Sequence, residues 1–524
     1  MAIARRSAVN RIPFEIWLQI KELIASDDSE SLYSINRAWF EIAMNSRYEV
    51  LDITNLNDRT VSRLPLLRDS GIARRVRHLS ISGMALQVSL LKFIMGDSWI
   101  EFPMQRKTLS ILNRKIRTLS ATNVLNDHIR LVSEIISGLK VSEYTVKWDY
   151  IEGIQSAEII HSSLQAAILD LTWLAFGSTL RKLRVSAVPG RFHAVVSSDV
   201  QLVCLEELHL HLLHKASDFQ FAGIQDVFPE YASSFLSRVN PGLNVLSVQS
   251  SSNLDLSSIF HQLPGFKSIR RLNLKVLVDH SVLTDPCGLE SFFAGSSLKL
   301  RHLAMTLCHR AVVSADRILS SLAMSRAVIP FLETLQIDFG MPHPELDHTL
   351  LTELHSLFRG TRTTLHTIIL EGIALSLVDL KALTSVFADG AAGDALQNLT
   401  ISIQSLTVEH VAVLAINVPH IRMLGIVFMR HSFVPDGPEA AASEYRTHFK
   451  AQLEQENIHW KLHDISIWYL CRSVDTSRWD LVSLFPACVP TVKRFFGDAR
   501  TEAELPRSTL SVATMFNTAL HQGV

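Results

Sequence analysis

The sequence predicts an α/β fold in which short parallel strands alternate with helices along an irregular solenoid. Two observations predict it. A six-residue phrase with apolar residues at positions 1, 4 and 6, written LxxLxL, recurs from Val76 to the copy that begins at Leu462. Between the phrases, as in segment 351–364, apolar residues recur three and four apart, which is typical of one side of a helix.

The phrase occurs thirteen times in order, and the copies that begin at Ile116 and Leu462 match the pattern least well. The side chains of positions 4 and 6 lie on one face of a strand, whereas those of positions 3, 5 and 7 lie on the other. We therefore expect the first set in the core and the second on a free face of the sheet. The first positions of the copies are Val76, Ile116, Val141, Leu180, Leu205, Leu243, Ile269, Leu300, Leu332, Leu365, Leu396, Ile421 and Leu462.

This pattern resembles the leucine-rich repeat family from about Val76 to about Ile467, with copies spaced by roughly 32 residues on average. The resemblance implies parallel strands on a concave face and helices on a convex face. The Asn or Cys that the family usually carries three residues after position 6 is often apolar here, as at Leu213, so we expect an irregular solenoid. The alternative is a large doubly wound α/β domain, but its usual Gly-rich phosphate loop is missing from the sequence.

The composition argues against several partners and locations. The chain has 50 Lys and Arg residues against 51 Asp and Glu, a net charge of −1 that gives no long-range attraction for nucleic acid or anionic membranes. Five widely spaced cysteines predict reduced, mostly buried thiols. Because the sequence has neither a signal peptide nor an apolar run of about 18 residues, we expect a soluble protein of the cytoplasm, the nucleus or both.

Residues 12–43 differ in pattern from the rest of the chain and predict a helical hairpin. Pro13 suits the start of a first helix, on which Ile12, Ile16, Ile20, Leu23 and Ile24 would form one apolar stripe. The polar run 27–29 offers a cap for a second helix. The apolar side that we expect on that helix consists of Leu32, Ile35, Trp39 and Ile42.

The hairpin resembles an F-box, the motif by which substrate receptors of ubiquitin ligases dock on a Skp-family adaptor. The matches at its opening are Ile12, Pro13, Glu15, Ile16 and Ile20, and those at its close are Leu32, Ile35 and Trp39. Asn36 stands where Cys is frequent, and Trp17 is unusually bulky for the first helix. The resemblance implies that the matching residues hold the motif or contact the adaptor. The alternative is a hairpin that only caps the open end of the solenoid.

The predicted domain organisation follows from these patterns. Residues 1–50 form the F-box-like module, 51–75 a linker and 76–500 the repeat solenoid. A polar, helix-prone stretch at 431–459 interrupts the repeats, either as a substrate-contacting insertion or as a solvated helix on a long loop. Residues 501–524 form a C-terminal tail.

No motif predicts catalysis or a cofactor. The cluster His209, His211 and His214 has the residue type of a metal site, but positions 5 and 7 of a repeat more simply place its first two members on a recognition surface. His343 and His348 are expected in a solvated loop. The sequence contains no GxSxG elbow or other marked nucleophile.

We expect the free strand face to bind a protein substrate. Its predicted contact residues are Lys182, Arg184, Glu207, His209, His211, Arg271, Asn273, Lys275, His302, Gln336, Asp338 and Glu371. Together with the F-box resemblance, this face predicts a non-catalytic substrate-recognition subunit of a Skp–cullin–F-box ubiquitin ligase. The alternatives are a repeat scaffold with no link to ubiquitin and an enzyme whose site residues are scattered along the chain.

Overall fold

A computed structural model describes the chain in two compact units, residues 1–266 and 267–524. We treat each unit by itself. The residues that the structure describes are 12–24, 36–53, 64–82, 134–148, 163–189, 192–196, 200–213, 224–250, 255–278, 285, 287–296, 299–309, 329–343, 348–388, 395–403, 406–428, 439–455, 460–469, 489, 491–492 and 494–496.

Within the described residues, the first unit is a ladder of parallel strands with helices between them. Its strands are β1 (Val50–Ile53), β2 (His78–Ser82), β3 (Glu143–Trp148), β4 (Lys182–Ala187), β5 (Glu207–Leu212) and β6 (Val245–Ser250). Its α-helices are α1 (Phe14–Leu23), α2 (Arg37–Tyr48), α3 (Ser70–Ala73), α4 (Ser163–Phe176), α5 (Phe192–Val195), α6 (Ile224–Leu236) and α7 (Ser257–Gln262). Each strand pairs in parallel with the next one along the chain.

The second unit repeats this plan. Its strands are β7 (Arg271–Val278), β8 (His302–His309), β9 (Thr334–His343), β10 (Thr367–Leu375), β11 (Asn398–Ile403), β12 (Met423–Phe428), β13 (Asp464–Tyr469) and β14 (Arg494–Phe496). Its α-helices in the described residues are α8 (Cys287–Ser296), α9 (His348–Thr361), α10 (Leu377–Thr384), α11 (Val408–Asn417) and α12 (Glu439–Gln455). Neighbouring strands are again parallel and follow chain order.

The register of both ladders aligns the repeated phrases position by position. Every phrase except the one from Ile116 coincides with a strand that begins at its position 3. Position 4 of one phrase pairs with position 4 of the next, as Leu79 does with Tyr144 and Leu272 with Leu303. These side chains are fully buried. The ladders therefore confirm an α/β repeat fold of the leucine-rich-repeat type.

Two expectations about the repeats need correction. The phrase from Ile116 lies outside the described residues, and β2 is hydrogen-bonded directly to β3, so the ladder has no strand between them. The sheet also starts earlier than predicted, because β1 (Val50–Ile53) runs from the last residue of the predicted 1–50 module into the predicted linker 51–75. Its residues Leu51 and Ile53 align with positions 4 and 6 of the next repeat, but its position 1 is the aromatic Tyr48, whereas the other copies have an aliphatic residue there.

Backbone hydrogen bonds fix this register. The carbonyl oxygen of Arg77, at position 2, accepts hydrogen bonds from the N–H groups of Ser142 at 2.8 Å and Glu143 at 3.0 Å. The same fork recurs on the next step, where the Ser142 carbonyl accepts from the N–H groups of Arg181 and Lys182. It also recurs through most steps of the second unit. Since the fork uses main-chain atoms only, it tolerates the varied side chains at position 2.

Helices cover the apolar side of the sheet. In the first unit, the Tyr144 ring packs edge-to-face on Trp173 and Phe176 of α4, with 5.4 Å between ring centroids in each pair. The Tyr144 hydroxyl is hydrogen-bonded to Thr172 at 2.8 Å, so the polar atom of this buried ring has a partner. In the second unit, α12 contacts α11 and buries Phe449 and Leu453. The expected insertion at 431–459 thus supplies a packed repeat helix between β12 and β13.

The N-terminal hairpin differs from its prediction in where its second helix begins. Asn36 has extended backbone angles and its side chain accepts a hydrogen bond from the N–H of Trp39 at 2.8 Å, which makes it the N-cap of α2. The helix therefore does not run continuously from Leu32 and Ile35, which lie outside the described residues. Arg75 ties α2 to the start of the sheet through an ion pair with Glu41 at 2.7 Å.

Two of the cysteines differ from their prediction. Cys204 and Cys287 are free and exposed, so the prediction of mostly buried thiols is wrong for these two. Among the described residues, no helix has the length and apolar character needed to cross a membrane.

We predict that Gly425 cannot take a side chain without cost. A Cβ at this position of β12 would lie 2.6 Å from Thr400 Oγ1 and 2.9 Å from Thr400 Cγ2, and a β-branched residue has little freedom to move away. Gly425→Ala should lower the free energy of unfolding by about 1–3 kcal/mol, measured by urea denaturation. This outweighs the gain of up to about 1 kcal/mol that Ala normally brings to a strand.

The double variant Thr400→Ala/Gly425→Ala provides the control. The Thr400→Ala change removes both contacts shorter than 3.0 Å and leaves only the Thr400 Cβ at 3.1 Å. Adding Gly425→Ala to Thr400→Ala should therefore lower the free energy of unfolding much less than adding it to the wild type. An unchanged urea midpoint for Gly425→Ala would contradict the tight packing between β11 and β12.

Candidate functional site

The candidate site is the sheet face opposite the helices, formed by positions 3, 5 and 7 of the strands; we call it the polar face. In β5, buried Leu208, Leu210 and Leu212 alternate with half-buried Glu207, His209 and His211. In β4, Arg184 is exposed between buried Leu183 and Val185. The alternation places these predicted contact residues on the side away from the core.

Position 3 of the first unit carries a bonded row of charges. Lys182 Nζ lies 3.0 Å from Glu207 Oε2 and 4.0 Å from Glu143 Oε2, so one ammonium group bridges carboxylates on both neighbouring strands. Hydrogen bonding and attraction to Lys182 outweigh partial burial and lower the pKa of Glu207. Lys182 and Glu207 therefore satisfy each other, which reduces their availability to a ligand.

Histidines complete this part of the polar face. Burial lowers the pKa of His209 despite the opposing effect of Glu207, whose Oε2 lies 3.6 Å from His209 Nε2. His211 Nδ1 is hydrogen-bonded to Ser186 at 3.3 Å. His209 and His211 do lie on one face, as the metal alternative required, but His214 lies outside the described residues. Within those residues, no group of three or more His, Cys, Asp or Glu side chains could hold a metal ion.

In the second unit, the predicted contact residues spread over four strands. Arg271 and Asn273 are exposed and Lys275 is half-buried, all on β7. His302, opposite Arg271 in the register, has a lowered pKa because of burial and the Arg271 charge. Gln336 lies on β9 within the same face. Neither His343 nor His348 has a described side chain, although both residues lie within a regular strand or helix and not in the expected loop.

Two like charges meet at position 7 of this unit. Asp338 on β9 and Glu371 on β10 are direct partners in the register. Burial, helped by the Asp338 charge, raises the pKa of Glu371 to about 7. Glu371 precedes Gly372, whose φ of 79° lies in the left-handed region, and the register shifts there. A carboxyl group that titrates near neutral pH can donate a hydrogen bond when protonated or attract a cation when ionised.

Position 3 at the far end of this unit has a closed ion pair. Arg494 on β14 donates hydrogen bonds to both carboxylate oxygens of Asp464, at 2.7 and 2.6 Å. Asp464 is only 4% exposed, so the pairing compensates a buried charge. We assign this pair a structural role.

A second candidate surface lies on the N-terminal hairpin. Trp17 of α1 packs edge-to-face on Trp39 of α2 with 6.0 Å between ring centroids, and Ile20 packs against the same cluster. Ile16 is 41% and Leu23 87% exposed. Burial divides the predicted apolar stripe: Ile20 and Ile24 pack on the inner side around Trp17, whereas Ile12, Ile16 and Leu23 are exposed on the outer side, which we call the α1 outer stripe.

The F-box-matching residues divide between these two sides. Ile12, Pro13, Glu15 and Ile16 are exposed, whereas Trp39 is buried and Ile20 is half-buried. The sequence reading missed the inner role of Trp17 because it treated the residue as a departure from a family pattern. It also missed Glu143 and Lys147 on the polar face, although positions 3 and 7 of the phrase from Val141 identify them directly.

Comparisons with known proteins add little to this geometry. No protein-family model matches the chain, and no curated protein matches it. Among solved structures, the chain is similar to the leucine-rich-repeat-containing protein LegL7 from Legionella pneumophila, with 12% identity and a TM-score of 0.34 over 72% of this chain and 90% of that one. The strand ladders themselves give the architecture. Each unit has a leucine-rich-repeat-like α/β fold.

We predict that Glu371 makes stability depend on pH. The folded chain holds this proton up to about pH 7, whereas an ordinary Glu loses it near 4.5, so the folded state binds more protons between these values. The stabilisation from Glu371 is thus fully present below about pH 4.5 and is lost as pH rises through 7. Glu371→Gln should match wild type near pH 5 and be more stable at pH 8 by about 1–3 kcal/mol, measured by urea denaturation.

Asp338→Asn is the companion variant, because it removes the charge that helps to raise the pKa of Glu371. It should shift the pH-dependent loss of stability to lower pH without abolishing it. A stability difference between Glu371→Gln and wild type that stays constant from pH 5 to pH 8 would contradict the raised pKa.

Proposed function

We propose that this chain is a non-catalytic substrate-recognition subunit of a Skp–cullin–F-box ubiquitin ligase, in which the hairpin docks on a Skp-family adaptor and the polar face binds the target protein. The observation that carries the proposal is the α1 outer stripe. Leu23 is 87%, Ile16 41% and Ile12 37% exposed, next to the side of α1 that packs on Trp39 through Trp17 and Ile20. Clustered exposed apolar side chains are typical of a protein-binding site.

The construction of the hairpin supports docking through α1. Trp17 and Trp39 give the two helices their own small core, and Ile42 joins it. In the described residues, α2 contacts β1 and α3, and Arg75 ties it to the start of the sheet by an ion pair with Glu41 and a hydrogen bond donated to Asn45. The α1 outer stripe can therefore meet a partner without loss of the contacts that hold the hairpin together.

The polar face supports target binding by its chemistry. In the first unit it presents Arg184 as a cation; in the second unit it presents Arg271 and Lys275 as cations and Asp338 and Glu371 as a pair of carboxyl groups. Such a mixed surface suits a protein ligand, because complementary charges give specificity more than raw affinity. A receptor of this kind performs no chemistry itself but raises the concentration of the target near the conjugating enzyme. We propose that it acts in the cytoplasm, the nucleus or both.

The second candidate is a repeat scaffold that has no link to ubiquitin. The observation that favours it is the contact of α2 with β1 and α3, which covers the first strand of the described sheet. A hairpin that shields an open sheet edge has a structural reason to exist without an adaptor. Adaptor binding separates the two candidates.

We predict that Ile16→Asp/Leu23→Asp abolishes binding of a purified Skp-family adaptor to the full chain. Charged residues would disrupt an apolar contact, and a loss of about tenfold or more in affinity should appear in a pull-down titration or by calorimetry. Both side chains are already exposed, so the change should leave the fold intact, as circular dichroism can verify.

Leu174→Asp is the matched control, since Leu174 is 76% exposed on α4, away from the hairpin. It should bind the adaptor like wild type. Failure of the wild-type chain to bind, under conditions in which a known F-box protein does, would exclude the ubiquitin-ligase proposal and leave the scaffold. An equal loss in Leu174→Asp would show that α1 is not the docking surface.

A further inference from the structure

On the polar face of the first unit, the strand register arranges the side chains of positions 3, 5 and 7 in three straight rows, which together we call the lattice. The register aligns three rows across strands β2 to β6. Position 3 contains His78, Glu143, Lys182, Glu207 and Val245; position 5 contains Ser80, Thr145, Arg184, His209 and Ser247; position 7 contains Ser82, Lys147, Ser186, His211 and Gln249.

The charges of the position 3 row are satisfied internally. Lys182 bridges Glu143 and Glu207, at 4.0 and 3.0 Å. Because both carboxylates approach the same ammonium group, this row does not offer a free cation. An acidic ligand should avoid the position 3 row, because this row contains two carboxylates.

Two cations in the other rows have no such partner. Arg184 and Lys147 are both exposed, and within the part of the chain that the structure describes neither makes an ion pair or a side-chain hydrogen bond. They lie on adjacent strands, since Arg184 pairs with Thr145 and Lys147 with Ser186. Their positions differ by one strand and two residues, which puts their Cα atoms about 8 Å apart.

The neighbours of these two cations within their own rows are polar groups without a negative charge. Thr145 is hydrogen-bonded to His78 at 3.1 Å, and Ser186 to His211 at 3.3 Å. Burial lowers the pKa of His78 and His209, which favours their neutral forms at neutral pH. Glu143 and Glu207 face this lattice from the position 3 row, and Asp52 of β1 lies beside Ser80 at its edge.

We propose that Arg184 and Lys147 bind an extended segment of a protein ligand that carries Asp or Glu at alternate positions. This inference rests on the proposed function, because it names the class of target segment that the polar face takes. In an extended strand, side chains two residues apart point the same way and are about 7 Å apart. That spacing fits two long cationic side chains anchored about 8 Å apart, whereas a single phosphate would require both to converge on one point.

The proposal also predicts which part of the surface the segment covers. Its acidic side chains meet Arg184 and Lys147 on the side of positions 5 and 7, away from Glu143 and Glu207. The hydroxyl and imidazole groups of Ser186 and His211 can hydrogen-bond the same carboxylates or the segment backbone. With a net charge of −1, the whole chain offers no general attraction for anions, so binding would have to come from this local arrangement.

The test is binding of the full chain to a short fluorescein-labelled peptide of alternating Thr and Asp, followed by fluorescence anisotropy. Arg184→Ala/Lys147→Ala should weaken binding by about tenfold or more. The matched control, Arg74→Ala/Lys140→Ala, removes two exposed cations elsewhere in the same unit and should leave affinity unchanged. Added salt should weaken the wild-type complex, because both contacts are exposed ion pairs.

Three further peptides define what would overturn the inference. Peptides of alternating Thr and Asn or of Thr and Lys should not bind, and a Thr–Asn peptide with one phosphothreonine should bind more weakly than the Thr–Asp peptide. Equal or tighter binding of any of these, equal loss in the control variant, or no binding of the Thr–Asp peptide would each refute it.

Adaptor binding, measured on the same proteins, separates this inference from the proposed function. Arg184→Ala/Lys147→Ala should bind the adaptor like wild type, because both residues lie on the sheet and not on the hairpin. A wild-type chain that binds the adaptor but not the Thr–Asp peptide refutes only the acidic-segment site. A chain that binds the peptide but not the adaptor retains this site and loses the ubiquitin-ligase assignment.

Discussion

The alignment of position 4 with position 4 on successive strands is the constraint on which the rest of each unit depends. The forked hydrogen bonds at the start of the strands set it, as where the Arg77 carbonyl accepts from two successive N–H groups of the next strand. A slip of one residue would send Tyr144 and Leu183 to the solvent side and bring their charged neighbours into the core. Main-chain bonding and burial thus favour the same register, although the repeats differ in length and sequence.

The polar face is a consequence of that register. Because positions 3, 5 and 7 form straight rows, each charge has neighbours at fixed spacing, and the identity of those neighbours decides its state. Lys182 meets a carboxylate on each side and is neutralised, whereas burial, together with the charge of Asp338, raises the pKa of Glu371. Arg184 meets only hydroxyl and imidazole groups in its own row and keeps its charge free. The same residue types therefore have different roles according to their row partners.

The N-terminal hairpin is held together by aromatic packing and not by strand register. Its core is two tryptophans in an edge-to-face contact, and the bulk of Trp17 decides which side of α1 faces inward. Asn36 ends the preceding segment and starts α2 by capping the N–H of Trp39. As a result, Ile16 and Leu23 remain on the outside, although the helical spacing alone would group them with Ile20.

The sequence by itself determined the repeat. Strand positions, the buried and free faces and the parallel α/β class could all be read from the spacing of apolar residues, because the two-residue period of a strand assigns each side chain to a face. It did not identify β1, whose position 1 is the aromatic Tyr48, and it counted a repeat at Ile116 that the direct pairing of β2 with β3 leaves out of the ladder. Nor could it separate bonded charges from free ones. Only the tertiary structure decided that Lys182 has ion-pair partners and that, among the described residues, Arg184 and Lys147 have none. Ion pairing depends on which strands lie side by side and on distances of a few ångströms, which no one-dimensional pattern contains.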